Sequence, residues 1–211
     1  CEESAKIVLH SVYRDRSGIL MALNSNVFEK YLIVLNRHSK DFLSKNILGS
    51  KIDEFYKTFD KIVEIKSYCV SVISNFMDLN LDILIYPDIG MNPFTNAMAL
   101  YRIAPIQINT WGHSVSSGIE NIDYYISSKF YEIDNLEKAQ ENYSEKLIAQ
   151  DSLCTYYTPY EFDYFKTRRQ LALPENRPIL FCIQNVKKLN LEFFNVLKKI
   201  ITACPNVLIL L

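Results

Sequence analysis

The segment from Leu81 to Ser128 sets the narrowest limit on what this chain can fold into. Its two apolar runs, residues 83–86 and 106–108, are too short for helices and are bounded by Pro and Gly, the pattern of buried parallel strands. Between them, Asn92 to Tyr101 carries Phe94, Ala97, Met98 and Tyr101 at helical spacing, so the unit reads as a βαβ crossover. The loops that follow the two strands, 87–91 and 112–118, then fall where open α/β sheets take ligands, outside the C-terminal ends of the strands.

The same alternation extends along the chain. Residues 6–13, 31–35, 61–65, 123–127, 179–183 and 206–211 read as further strands, with a polar turn at 14–18. Helical stretches fall at 19–28, 53–59, 68–79, 137–143 and 190–203. In the last of these, Phe193, Phe194, Leu197, Ile200 and Ile201 share one face, opposite Lys198 and Lys199. Repeated β–α alternation predicts an α/β fold with a doubly wound parallel sheet. Residues 150–177, rich in Tyr, Thr, Pro and charge, read as a linker, which divides the chain into domains at 5–149 and 178–211. Cys1 in place of Met and an apolar strand running to the last residue, Leu211, lead to the expectation of a fragment of a larger protein.

Composition removes several function classes. A net charge of −1, with 23 basic residues in no extended block, gives no basis for nucleic-acid or membrane-surface binding, and no apolar run approaches membrane-spanning length. The five cysteines form no CxxC pair and no Cys/His cluster at metal-ligand spacing, which predicts reduced core thiols in a cytoplasmic protein with no metal. There is no G-x-G-x-x-G and no Walker pattern, so nicotinamide and P-loop chemistry have no support.

Candidate site residues cluster after strands. Gly90 permits positive φ and close approach of a ligand, and equally serves as an ordinary turn glycine. His113 lies between Gly112 and Ser114, Ser116 and Ser117. Its imidazole suits a phosphate or sugar hydroxyl, and the serines and free N–H groups suit anionic oxygen; a structural loop histidine fits the same spacing. Lys187 and Lys188 precede a helix N-terminus, a place suited to a diphosphate or to a solvated lysine pair. Asp123 reads as a turn or cap residue ahead of a strand.

Four short motifs occur in order: Ala104-Pro105-Ile106-Gln107, then Trp111 to Gly118, then Ile122 to Ile126, then Tyr143 to Leu147. Together they resemble the core of the family 41 glycosyltransferases, the group of the O-GlcNAc transferases and the bacterial cytoplasmic N-glucosyltransferases that modify adhesins. The likeness runs over residues 5–211 and departs from the family at Ser114, where Pro is usual, and at 14–18, which lacks a His. It implies a GT-B fold of two Rossmann-like domains, an acceptor-side domain at 5–149 and the start of a donor-binding domain at 178–211. The implied activity of the full-length protein is inverting transfer of glucose or N-acetylglucosamine from a UDP-sugar to a protein side chain, without cofactor or metal. Lys188 would contact the diphosphate, with Lys187 one register away. Gly90, Gly112, His113, Ser116 and Ser117 would line the sugar and phosphate side. The alternatives are a nucleotide-sugar epimerase-like enzyme of the same architecture and a non-catalytic interaction domain.

Overall fold

The short apolar runs at 31–35, 61–65, 83–86 and 106–108 become parallel strands. The computed structural model describes residues 11–35, 50–65, 69, 71–132, 135–157 and 166–211. The chain divides into two units, residues 1–159 and 160–211. In the first, β1 (Tyr31–Leu35) pairs with β2 (Lys61–Ile65). A four-stranded sheet holds β3 (Ile83–Tyr86), β4 (Ile106–Thr110), β5 (Tyr124–Ser128) and β6 (Lys146–Gln150) in that order, all parallel. Helices α1 (Ser11–Ala22), α2 (Ser50–Lys57), α3 (Ser71–Met77), α4 (Pro93–Ala99) and α5 (Leu136–Gln140) intervene. The second unit is one βαβ, in which α6 (Leu191–Ala203) connects β7 (Ile179–Phe181) to its parallel neighbour β8 (Leu208–Leu210). The α/β class and the parallel pairing agree with the sequence reading. Among the described residues no helix is long and apolar enough to cross a membrane.

The central crossover forms for local reasons. Asn92 caps α4 by accepting from the Phe94 amide at 2.9 Å, and Pro93 takes the first helical position, where its missing N–H costs nothing. The helix then buries Thr95, Met98 and Ala99. Met98 and Ala99 join Leu84 and Tyr86 of β3, Ile65 of β2, and Ile73 and Phe76 of α3 in one apolar cluster. Each large side chain removed from water there contributes roughly 1.5–3 kcal/mol. Only one face of β3 takes part: Ile83 and Ile85 are 43% and 42% exposed, so the expected full burial of this strand does not hold.

Four sequence expectations need correction. The strand at 6–13 lies outside the described residues up to position 10, and Ser11 to Tyr13 begin a helix instead. The polar run 14–18, expected as a turn, lies inside α1. A tertiary contact overrides the local turn signal there. The Arg16 guanidinium donates to the Cys154 carbonyl, the Asp15 carbonyl accepts from the Tyr156 amide at 3.0 Å, and the Tyr156 ring occupies the space a side chain at Gly18 would need. The segment after α5 is a strand: Leu147 and Ala149 of β6 pair opposite Tyr125 and Ser127, an alternation too short to stand out in the sequence. Finally, burial is less complete than the apolar pattern suggests. Cys154 is buried, but Cys69 and Cys204 are exposed, and of the apolar face of α6 only Leu197 is buried.

Gln107 joins β4 to its surroundings. It is fully buried. Its Oε1 accepts from the Ile103 amide at 3.0 Å, and its Nε2 donates to the carbonyls of Tyr101 at 3.1 Å and Asn121 at 2.7 Å. Gln107→Leu leaves one buried amide and two partly buried carbonyls without this partner, and an orphaned buried group costs about 1–3 kcal/mol. The variant is expected to unfold at a clearly lower urea concentration than the wild type, by circular dichroism.

Candidate functional site

Because β3 and β4 are parallel neighbours, their C-terminal ends deliver residues 87–91 and 111–118 to the same edge of the sheet. The two loops meet backbone to backbone at Gly112, where a Cβ would collide with the Pro87 carbonyl oxygen. Only glycine allows that approach. Gly90, with φ at 89°, turns its amide onto Asn96 Oδ1 at 2.7 Å. The His113 ring packs against this glycine, 3.1 Å from where a Cβ would begin.

The 111–118 loop is held from beneath and from one side. Tyr125, fully buried in β5, donates its hydroxyl to the His113 carbonyl at 2.7 Å, and burial pushes its pKa up, so it stays a donor. Trp111 stacks on Tyr131 with ring centroids 4.6 Å apart. The principal tie is Glu145, immediately before β6 and only 1% exposed. Its Oε1 accepts from the Ser117 amide at 2.8 Å and the Ser117 hydroxyl at 2.5 Å. Its Oε2 accepts from the hydroxyls of Ser116 at 2.7 Å and Ser144 at 3.1 Å. Burial alone would raise the carboxyl's pKa, but the bonds from Ser117 and Ser116 outweigh it and hold the group below its ordinary value.

Between the loops and α4 lies an open pocket of about 400 Å³. Its polar lining is Asn96, His113, Ser116, Ser117 and the Gly90 backbone, and its apolar wall includes Pro93, Ala97, Leu100 and Ile119. Of the residues singled out in the sequence, Gly90, His113, Ser116 and Ser117 thus line one pocket, and Gly112 supplies the backbone contact beside it. Lys187 and Lys188 belong to the second unit. They are exposed on a 3₁₀ turn, Val186–Lys188, just ahead of Asn190, which caps α6 through the Phe193 amide at 2.8 Å. Asp123 is at the start of β5, the opposite edge of the sheet. Its Oδ2 accepts from Arg102 Nη1 at 2.6 Å and the Gln107 amide at 2.7 Å, a structural clip. Among the described residues no group of three His, Cys, Asp or Glu side chains could hold a metal ion.

Two residues of the site were missed in the sequence. Glu145 lay within a recognised motif, but a glutamate beside Ser144 and Lys146 reads as surface charge, and no local pattern signals a partner 28 positions away. Asn96 carried a weak signal: an Asn in the first turns of a helix, six residues after a glycine, is placed to receive that glycine's amide.

No family model matches this sequence, and no curated protein matches it. Among solved structures, the chain is similar to a mutant of the O-GlcNAc transferase of Thermobaculum terrenum, with a TM-score of 0.70 and 16% identity. The match covers 95% of this chain and 36% of that one. The fold is that of a glycosyltransferase chain. At this identity the likeness concerns the fold alone, and the chain spans little more than a third of its neighbour's length.

Two outcomes are expected. Gly112→Ala forces the two loops apart and should lower stability by roughly 1–3 kcal/mol, as overpacking does; a denaturation midpoint equal to that of the wild type would refute the contact. Glu145 has a folded-state pKa below the ordinary 4.5. Its contribution is therefore complete above that ordinary value and is lost as the pH falls through the lowered one. The stability difference between wild type and Glu145→Gln should accordingly shrink as denaturation is repeated at successively more acid pH.

Proposed function

We propose that this chain is part of a cytoplasmic glycosyltransferase that moves glucose or N-acetylglucosamine from a UDP-sugar to a protein side chain. The observation that carries the reading is the convergence of Gly90, His113, Ser116 and Ser117 on one pocket, at the ligand edge of a fold shared with a glycosyltransferase chain. On this reading residues 5–149 form the acceptor-side domain, 150–177 a linker and 178–211 the beginning of the donor-binding domain.

The reaction is a displacement at the anomeric carbon. An acceptor oxygen or amide nitrogen forms the new bond to that carbon, the bond to the diphosphate oxygen breaks with its electron pair leaving on UDP, and the acceptor loses a proton. Attack from the face opposite the leaving group inverts the configuration. Negative charge develops on the departing diphosphate, and Lys188, beside a helix N-terminus, is the residue we assign to neutralise it, with Lys187 adjacent. Neither step calls for a metal in this scheme, since a lysine and a helix end supply the positive potential.

The test is to incubate the full-length protein with a panel of UDP-sugars and acceptor peptides and to look for the added mass of one hexose or N-acetylhexosamine. Lys188→Ala should lower turnover about 10²–10³-fold, the usual loss for one electrostatic contact to developing charge. A folded protein that adds no mass from any donor would sink the transferase reading.

A further inference from the structure

The four-stranded sheet carries a bare ladder of isoleucines on one face. Ile83 pairs with Ile106, Ile85 with Ile108 and Ile126 with Ile148, all on the side opposite Leu84 and Tyr86. Thr110, paired with Ile126, joins the two halves of the ladder. Ile83, Ile85, Ile106 and Ile148 are 43%, 42%, 37% and 40% exposed, and Ile108 and Ile126 are partly so. Among the described residues, none of the six belongs to the apolar cluster, which takes Leu84 and Tyr86 from the other face. Lys146 is the one charged side chain on the bare face.

Topology explains why no connection within this sheet fills the gap. The strands follow one another in chain order, all parallel. Parallel crossovers are right-handed, so three steps in one direction put all three connections on the same face. Helix α4 marks that face, since Met98 and Ala99 pack with Leu84 and Tyr86. Parallel sheets are covered by helices on both faces, and here the second cover has to come from elsewhere. Size limits what it is. At a strand spacing of about 4.8 Å, a ladder two or three side chains deep covers on the order of 300 Å². A stable complex of separate molecules takes roughly 800 Å² from each partner, so this face is too small to hold a second copy. A helix about 10 Å across matches the footprint, and one tethered in the same polypeptide needs no larger area, because its docking is intramolecular. The glycosyltransferase chain that shares this fold has the length to carry such a helix, since the match takes up 36% of it.

We infer that an amphipathic α-helix of the full-length protein, from outside residues 1–211, docks on this isoleucine face. Its apolar residues, at i, i+3, i+4 and i+7, fill the grooves between the rows of β-branched side chains, and its polar side faces water. The helix completes the second layer of the domain whose opposite edge carries the pocket. The assignment holds whichever reaction the protein performs.

The experiment uses the full-length protein carrying Ile85→Cys or Ile148→Cys, one on each outer strand, in variants whose circular dichroism matches the wild type. N-ethylmaleimide is added and labelling of the new thiol is followed by peptide mass spectrometry. The native protein should label at least about tenfold more slowly than the protein in urea, because a covered thiol reacts only when its cover opens. The rate should not change with protein concentration, as a tethered cover requires. A diazirine amino acid at position 85, activated by light, should then cross-link to a peptide of the same molecule that lies outside residues 1–211 and has helical apolar spacing. Labelling close to the unfolded rate at both positions would overturn the inference. So would protection that appears only as the protein is concentrated, or a cross-link to a second copy or within residues 1–211. Each readout is independent of sugar transfer, so an inactive protein with a covered face keeps this inference and loses the transferase reading.

Discussion

Glu145 is where separate parts of the first unit are fastened together. One carboxylate, almost without solvent exposure, accepts hydrogen bonds from the hydroxyls of Ser116, Ser117 and Ser144 and from the Ser117 amide. A buried carboxylate is costly unless its lone pairs are filled, and four donors fill them. The bonds tie the loop after β4 to the start of β6, across the intervening β5. Replacing that carboxylate by an apolar group would leave the serine hydroxyls and an amide seeking partners, so the loop's conformation depends on the charge as well as on the shape of residue 145.

The second constraint is backbone proximity. Parallel pairing of β3 and β4 brings two loops to one edge, but they reach each other only because position 112 carries no Cβ to meet the Pro87 carbonyl. Gly90 contributes differently, through a positive φ that turns its amide to Asn96. Together these fix the His113 ring against the 87–91 turn, with Tyr125 holding the histidine's carbonyl from within the sheet. A pocket built this way is walled by main chain, short side chains and the apolar residues of α4.

Much of this architecture was legible before any coordinates. The strands at 31–35, 61–65 and 83–86 have the boundaries their apolar runs suggest, because short buried strands are written in composition and in flanking breakers. Capping of α4 and α6 by Asn92 and Asn190 follows from a side chain reaching its own following amides. Where local signals misled, a distant contact had the greater weight. The run 14–18 looks like a turn, yet it is helical where Arg16 and Gly18 pack against Cys154 and Tyr156. In β6, Lys146, Ile148 and Gln150 are exposed and the half-buried Leu147 and Ala149 are too few to declare a strand.

The sequence by itself determined the α/β alternation, the crossover at its centre and the gathering of Gly90, Gly112, His113, Ser116 and Ser117 into neighbouring loops, since strand length, helix spacing and breaker positions are local properties of the chain. Only the tertiary structure decided how those residues divide their work. Hydrogen-bond donors are finite, and which partner receives each proton depends on groups far apart in sequence. Glu145, 28 positions beyond Ser117, accepts the serine hydroxyl's hydrogen bond. Asn96 receives that of the Gly90 amide.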